Sequence, residues 1–230
     1  MHYTCPKCQD TGYVGSEKCS CLRSAEIAAF YSQSSIHDVF RDETFAHFSL
    51  AFYSDRIIHE STGLTERQTA EKALTAAQLF VQQFDEKAAN LFLYGDTGTG
   101  KTFLSHCIAH ELLASGHLVL YFSAHDLFER LAGFAFSRED TEGTLEDILS
   151  CDLLIIDDLG TEMTNTFTTS QLFLCVNERL LRQKSTLIST NLKLEDFSSV
   201  YSERTFSRIA GHYQMIKLIG QDIRLQKRFA

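Results

Sequence analysis

The sequence predicts an α/β domain, a three-layer arrangement of a mainly parallel sheet with helices on both faces, preceded by a small unit stapled by metal. Three observations lead to it. From Leu91 onward, short apolar runs alternate with helical segments. The first such junction carries the glycine-rich run Gly95-Asp96-Thr97-Gly98-Thr99-Gly100-Lys101-Thr102. Four of the seven cysteines fall within the first 21 residues.

Bulk properties set the limits. A chain of 230 residues can bury one sizeable core plus an appendage. With 44% hydrophobic and 22% charged residues and a single proline, the composition is that of a globular protein. The start lacks the basic stretch and apolar run of a signal peptide, and no run is long enough to span a bilayer. A cytoplasmic protein with no membrane partner is expected. The net charge of −9 argues against a wholesale nucleic-acid binder. It is uneven, however. Residues 201–230 hold Arg204, Arg208, Lys217, Arg224, Lys227 and Arg228 against Glu203 and Asp222, so a basic edge lies on an acidic body.

In chain order, residues 1–22 form the cysteine unit, 23–60 a helical connector and 61–230 the main domain. The connector is read as helical from about Ser24. Its aromatics Phe40, Phe45, Phe48, Phe52 and Tyr53 are expected to pack on the domain, with an adenine-pocket wall as the alternative. Residues 64–85 have helical periodicity. Strands follow at LFLY, HLVLYF, DLLIID, STLIST and QMIKLI, with helices at 101–115, 124–134, 167–183 and 195–211 between them. Such alternation implies crossover connections and a buried parallel sheet.

The glycine-rich run matches G-x-x-x-x-G-K-[ST] between a strand and a helix, the pattern of a P-loop. Its glycines let the backbone curl so that successive amides face phosphate oxygens, reinforced by the helix N-terminus. Lys101 is expected to reach the β- and γ-phosphates of ATP and Thr102 to ligate Mg²⁺. A second buried strand, Leu153 to Ile156, ends in Asp157 and Asp158. Asp157 is positioned to hold Mg²⁺ through water, and Asp158 to orient or deprotonate the attacking water. STLIST ends at Asn191, whose amide could donate to the γ-phosphate or the lytic water, or could simply form a turn or helix cap.

Cys5-x2-Cys8 and Cys19-x-Cys21 offer four thiolates, the number a tetrahedral structural Zn²⁺ takes; His2 is a possible substitute, and free or redox thiols are the alternative. About 20 residues cannot fold on apolar burial alone, so metal binding would supply the folding energy. Cys107, Cys151 and Cys175 sit among apolar neighbours and read as small buried hydrophobes.

Over about residues 90–228 the chain resembles the AAA+ helicase loaders of the DnaC and DnaI type and their phage and mobile-element relatives. The likeness rests on ordered blocks: GDTGTGKTFL, LLIIDDLGTE, NERLL, STLISTNL, YSERTFSRI and GQDIR. CPKCQDTGYV with CSCL is similar to the zinc-binding start of Gram-positive-type loaders. The resemblance implies an AAA+ P-loop ATPase lacking a large C-terminal lid and working as a homo-oligomer with each nucleotide between neighbours. It implies that Arg204, with Arg208 nearby, is an arginine finger reaching the adjacent subunit, and that Arg224 is a sensor arginine within its own. Asp157-Asp158 stands where most AAA+ proteins have Asp-Glu, which fits slow, switch-like hydrolysis.

The function implied is an ATP-dependent loader that binds a replicative DnaB-family helicase through residues 1 to about 50 and delivers it to single-stranded DNA. DNA contact is expected around Ser123 to Arg138, where Phe128, Arg130, Phe134, Phe136 and Arg138 mix rings and charge, and at the basic C-terminal edge. Leu127, Phe128 and Leu131 also read as the buried face of a helix. The rivals are an IstB-like transposition helper ATPase, which the cysteine unit disfavours, and a metabolic P-loop kinase, in which Asn191 and the ERTFSR block have no role.

Overall fold

A computed structural model describes residues 3–15, 17–19, 21, 22, 25, 43–60, 62–136 and 142–229. Expectations for His2, for the helix from about Ser24, for Phe40 and for Arg138 lie outside those residues, as do the side chains of Phe134 and Phe136.

The cysteine unit contains an antiparallel hairpin, β1 (Tyr13–Val14) and β2 (Glu17–Lys18). The described part of the connector is not the helix expected. Residues 43–60 hold two 3-10 turns, Phe45–His47 and Leu50–Phe52, then β3 (Ile58–His59), which pairs antiparallel with β4 (Leu64–Thr65). Serine side chains explain the difference. Ser49 Oγ accepts from the Ala51 amide, and Ser54 Oγ accepts from those of Arg56 and Ile57, so local bonds replace helical ones. Thr65 then opens α1 (Glu66–Gln82) with a capping box closed by Gln68.

The main sheet is built from β5 (Leu91–Tyr94), β6 (Val119–Ser123), β7 (Leu153–Leu159), β8 (Ser185–Thr190) and β9 (Gln214–Lys217). They lie in the order β6-β7-β8-β5-β9, all parallel. Side chains alternate across the sheet. Leu91, Leu93, Tyr121, Ile155 and Leu187 pack against α1 and α2 (Lys101–Ala114). Phe92, Phe122, Ile156 and Ile188 pack against the opposite layer, formed by α3 (Ala124–Phe136), α4 (Glu142–Ser150), α5 (Thr166–Leu181), α6 (Leu194–Tyr201) and α7 (Glu203–His212). Both faces are covered, which is why the strands read as continuous apolar runs. The chain closes with α8 (Ile223–Phe229). Among the described residues no helix is long and apolar enough to cross a membrane.

Other elements depart from the sequence reading, α8 among them. The segment 142–150 was not expected as a helix; α4 is anchored by buried Ile148 and Leu149, too few positions to register as a periodicity. The single helix expected over 195–211 is two, α6 and α7, broken at Ser202 with φ +82° and ψ 147°. That conformation costs a non-glycine residue about 1–3 kcal/mol. Part of the cost is offset by capping, since Ser202 Oγ accepts from the Thr205 amide at 3.3 Å.

Arg179 on α5 is fully buried, and sequence reasoning did not single it out. Its guanidinium donates to Ile148 O at 2.6 Å, Cys151 O at 3.1 Å and Thr186 Oγ1 at 3.0 Å, and also to Ser185 O. It therefore ties the end of α4 to the start of β8. Replacing it by methionine strands those carbonyls, each at about 1–3 kcal/mol if left unsatisfied. Arg179→Met is expected to lower stability by roughly 3 kcal/mol or more, read as the urea midpoint; an unchanged midpoint would refute this role.

Candidate nucleotide-binding site

The loop from Gly95 to Gly100 joins β5 to α2, and its curl depends on two glycines in particular. Gly98 has φ +74°, and a Cβ there would lie 2.1 Å from the Asp222 carboxyl carbon; Gly100 has φ +94° and is the N-cap of α2. Lys101 is 4% exposed, and inside the curl its ammonium donates to Gly95 O at 2.7 Å and Asp96 O at 2.6 Å. Burial pushes Lys101 down to about 8, although the carboxylates of Asp158, Asp157 and Asp96 oppose it. A buried ammonium short of charge compensation, beside α2 amides and a hydroxyl at Thr102, suits the phosphates of a nucleoside triphosphate.

A cleft of about 590 Å³ opens over this loop, lined by Thr97 to Phe103 along with Asp158, Thr161, Asn191 and Arg224. The connector supplies its other wall with His47, Phe48, Phe52 and Tyr53. These aromatics pack on the domain, as expected, and also line the cleft. Phe48 stacks on Tyr53 at 5.9 Å and tilts against Phe103 at 5.9 Å, while buried Tyr53 donates its hydroxyl to Thr99 O at 2.8 Å. The ring wall is suited to a base lying next to the phosphates. From the other end of the chain, Gln226 donates to Phe52 O at 3.2 Å, and the Lys227 ammonium lies 5.4 Å from the Phe52 ring centre.

Asp157 is buried on the α2 side of the sheet. Tyr121 donates to its Oδ2 at 2.6 Å and Ser189 donates to its Oδ1. Tyr121 and Ser189 escaped the sequence reading; the available signal was a hydroxyl inside each of the runs HLVLYF and STLIST, flanking the strand that carries the acid. β7 and β8 remain in register through Ile156 opposite Ile188 and resume at Leu159 opposite Thr190, so β7 bulges at the two aspartates. Asp158 takes φ +54° there, a conformation aspartate tolerates better than most residues. The bulge turns its carboxylate to the cleft, where Asn191 Nδ2 donates to Oδ1 at 3.3 Å. Burial, and then the neighbouring Asp157 charge, raise Asp158 above the usual carboxylate range. Asn191 is not the helix cap, since α6 is capped at Lys193. Thr102, Asp157 and Asp158 carry hard oxygen donors, the type Mg²⁺ takes; Thr102 and Asp158 line the cleft, whereas Asp157 lies outside its lining with both carboxylate oxygens held by Tyr121 and Ser189.

The arginines separate. Arg224 lines the cleft at the start of α8, 3.4 Å from Asp222. Arg204 does not line it. Exposed in the first turn of α7, it lies 4.2 Å from the Phe173 ring centre. Arg208 is also exposed.

Cys5, Cys8, Cys19 and Cys21 come together, with all four sulfurs within 4.8 Å of one another, Cys5 to Cys19 at 3.8 Å and Cys8 to Cys21 at 3.3 Å. The Asp10 carboxylate accepts from the Thr4 and Cys5 amides and closes the first knuckle. The Cys21 amide helps pull the Cys19 thiol down to about 6, while hydrogen bonding with Cys8 pushes Cys21 up to about 12. Four crowded thiols cannot all ionise unaided, and a divalent cation removes that conflict. Purified protein is expected to carry about one Zn²⁺ per chain, a figure that four thiolate ligands dictate, and Cys8→Ser should lower it; elemental analysis finding no zinc would reject the assignment. Cys107, Cys151 and Cys175 are buried as expected.

Fold and loop together define an α/β P-loop domain of the ATP-binding type. The chain belongs to the IstB-like ATP-binding protein family, whose family model matches residues 65–230. Among curated relatives it is 30% identical to the replicative helicase loader DnaC of Escherichia coli strain K12 over 138 residues, 60% of this chain and 56% of that protein. DnaC of Buchnera aphidicola subsp. Acyrthosiphon pisum is 29% identical over 146 residues, 63% and 59% of the two chains. The chain thus spans a little over half the length of these relatives. The crystal structure of the DnaC helicase loader superimposes with a TM-score of 0.62 at 23% identity, covering 76% of this chain and 98% of that one. That of DnaI does so with 0.62 at 22%, covering 81% and 92%. The resemblance read from the ordered sequence blocks is borne out.

Proposed function

We propose that this protein is an ATP-controlled helicase loader that acts in the cytoplasm as a homo-oligomer. Residues 1 to about 50 grip a replicative hexameric helicase of the DnaB family, and the ATPase core delivers it to single-stranded DNA. One observation carries the reading: a nucleotide site on the fold of the DnaC loader shares its chain with a four-thiol unit. A transposition helper has no stated use for the second.

In the proposed cycle, Lys101 and the loop amides hold the triphosphate, and the connector aromatics flank the base. Thr102 and Asp157 would hold Mg²⁺, which supplies charge neutralisation at the phosphate oxygens. Tyr121 and Ser189 fix the Asp157 carboxylate. Asp158, oriented by Asn191, takes the proton of the attacking water, a role its raised pKa favours. Arg204 of one subunit neutralises charge on the γ-phosphate held by the next, and Arg224 does so within its own. Leu127, Phe128 and Leu131 are committed to the core, so DNA contact falls to the other residues around Ser123 to Arg138, Arg130 among them, and to the basic edge of α8.

Copurification tests the proposal. Tagged full-length protein is expected to capture a replicative helicase in the presence of ATP, and protein lacking residues 1–22 to lose that capture while still binding ATP. Capture of a transposase instead would favour the transposition helper, and phosphorylation of a small acceptor would favour a kinase.

A further inference from the structure

The loop that follows Asp158 is tied to the helix pair that carries Arg204. Thr161 lines the cleft, and its amide and hydroxyl both donate to Asp158 O, at 3.2 and 2.8 Å. Next along, Glu162 accepts from the Gly160 amide at 2.9 Å through Oε2, and through Oε1 from the hydroxyl of Tyr201. Beyond it the loop is exposed, Met163 at 86%. Tyr201 is the last residue of α6, fully buried, with its ring 4.9 Å from that of Phe197. Ser202, in its left-handed conformation, is the single residue between α6 and α7, and Arg204 lies in the first turn of α7.

A buried phenol needs an acceptor, and many backbone carbonyls could serve. Here the acceptor is a carboxylate on the loop that faces the nucleotide. The chain of hydrogen bonds from Asp158 O through Thr161, Glu162 and Tyr201 thus joins the cleft to the end of α6. Only Ser202 separates Tyr201 from the first residue of α7, so the path from the phenol to Arg204 is short. We propose that the Glu162–Tyr201 hydrogen bond is a positioning relay that makes the aim of the arginine a subunit lends to its neighbour depend on the state of that subunit's own nucleotide loop. The inference rests on the composite site proposed above. Glu162 and Tyr201 touch no reacting atom and act through Arg204.

Mixing experiments test it, because they separate a subunit's role as lender from its role as recipient. Arg204→Ala protein keeps a complete site but lends no arginine, and Asp158→Asn protein lends an arginine but has a crippled site. Asp158→Asn is expected to restore ATPase activity to Arg204→Ala. Adding Tyr201→Phe or Glu162→Ala to the Asp158→Asn lender should cut the restored activity by about tenfold, since small misplacements of a charge-stabilising group act at that scale. Adding Tyr201→Phe to the Arg204→Ala recipient should leave it unchanged, and Glu162→Gln, whose amide oxygen still accepts, should lend nearly as well as Glu162. Equal restoration by lenders with and without Tyr201→Phe overturns the relay while leaving the composite site standing. Equal loss in both roles also overturns it, in favour of a purely structural bond. No restoration by Asp158→Asn itself removes the composite site and the relay with it.

Discussion

Lys101→Ala protein is expected to bind ATP at least about a hundredfold more weakly and to show no measurable hydrolysis, a loss of roughly 2.7 kcal/mol. The Lys101 ammonium is the cationic group buried within the curl of the loop, bonded to Gly95 O and Asp96 O and ready to turn to phosphate oxygens. The same burial gives a pH signature. Lys101 titrates at about 8 without nucleotide because desolvation disfavours its charged form. Phosphate favours that form, so binding takes up a proton above pH 8, and ATP affinity should fall by up to about tenfold per pH unit there. Below that pH the lysine is already charged and the affinity should level off. Calorimetric titration across pH 7 to 9.5 measures both effects; wild-type affinity in Lys101→Ala would remove the lysine from the site.

Arg204→Ala should show the opposite division, with ATP binding nearly intact and hydrolysis falling by about 10³-fold, the scale set by arginine fingers in phosphoryl transfer. The position of Arg204 is the reason. It stands exposed over Phe173 and outside its own cleft, so it cannot contribute to ground-state binding there. Its planar, permanently charged fork suits a neighbour's γ-phosphate. Hydrolysis at the wild-type rate would exclude a finger at this position, whereas loss of ATP binding would place Arg204 within its own site.

The site was legible where its chemistry is local in sequence. The loop between β5 and α2, the aspartates at the end of β7 and the four clustered cysteines were visible in the sequence because each depends on residue type at fixed spacing. Their partners were not found. Tyr121 and Ser189, which grip Asp157, sit on the two strands that flank β7, and nothing in a linear chain says which strands are neighbours. In the connector, residues 43–60 form 3-10 turns and a short strand, because serine side chains there take backbone amides that a helix would use. α4 was missed because its buried face rests on few residues.

By itself, the sequence determined an α/β P-loop domain with a four-thiol unit ahead of it, because glycine conformation, strand periodicity and ligand count are local properties. Tertiary structure decided the rest. The strand order β6-β7-β8-β5-β9 places β8 between the strand feeding the phosphate loop and the strand bearing the acids, so that Asn191 meets Asp158. A one-residue bulge, not residue type, aims Asp158 at the cleft. The break at Ser202 starts a new helix, which sets Arg204 over Phe173 and outside the residues that line the cleft. These features arise from how strands pair and helices pack, which involves residues tens of positions apart and leaves no periodic trace along the chain.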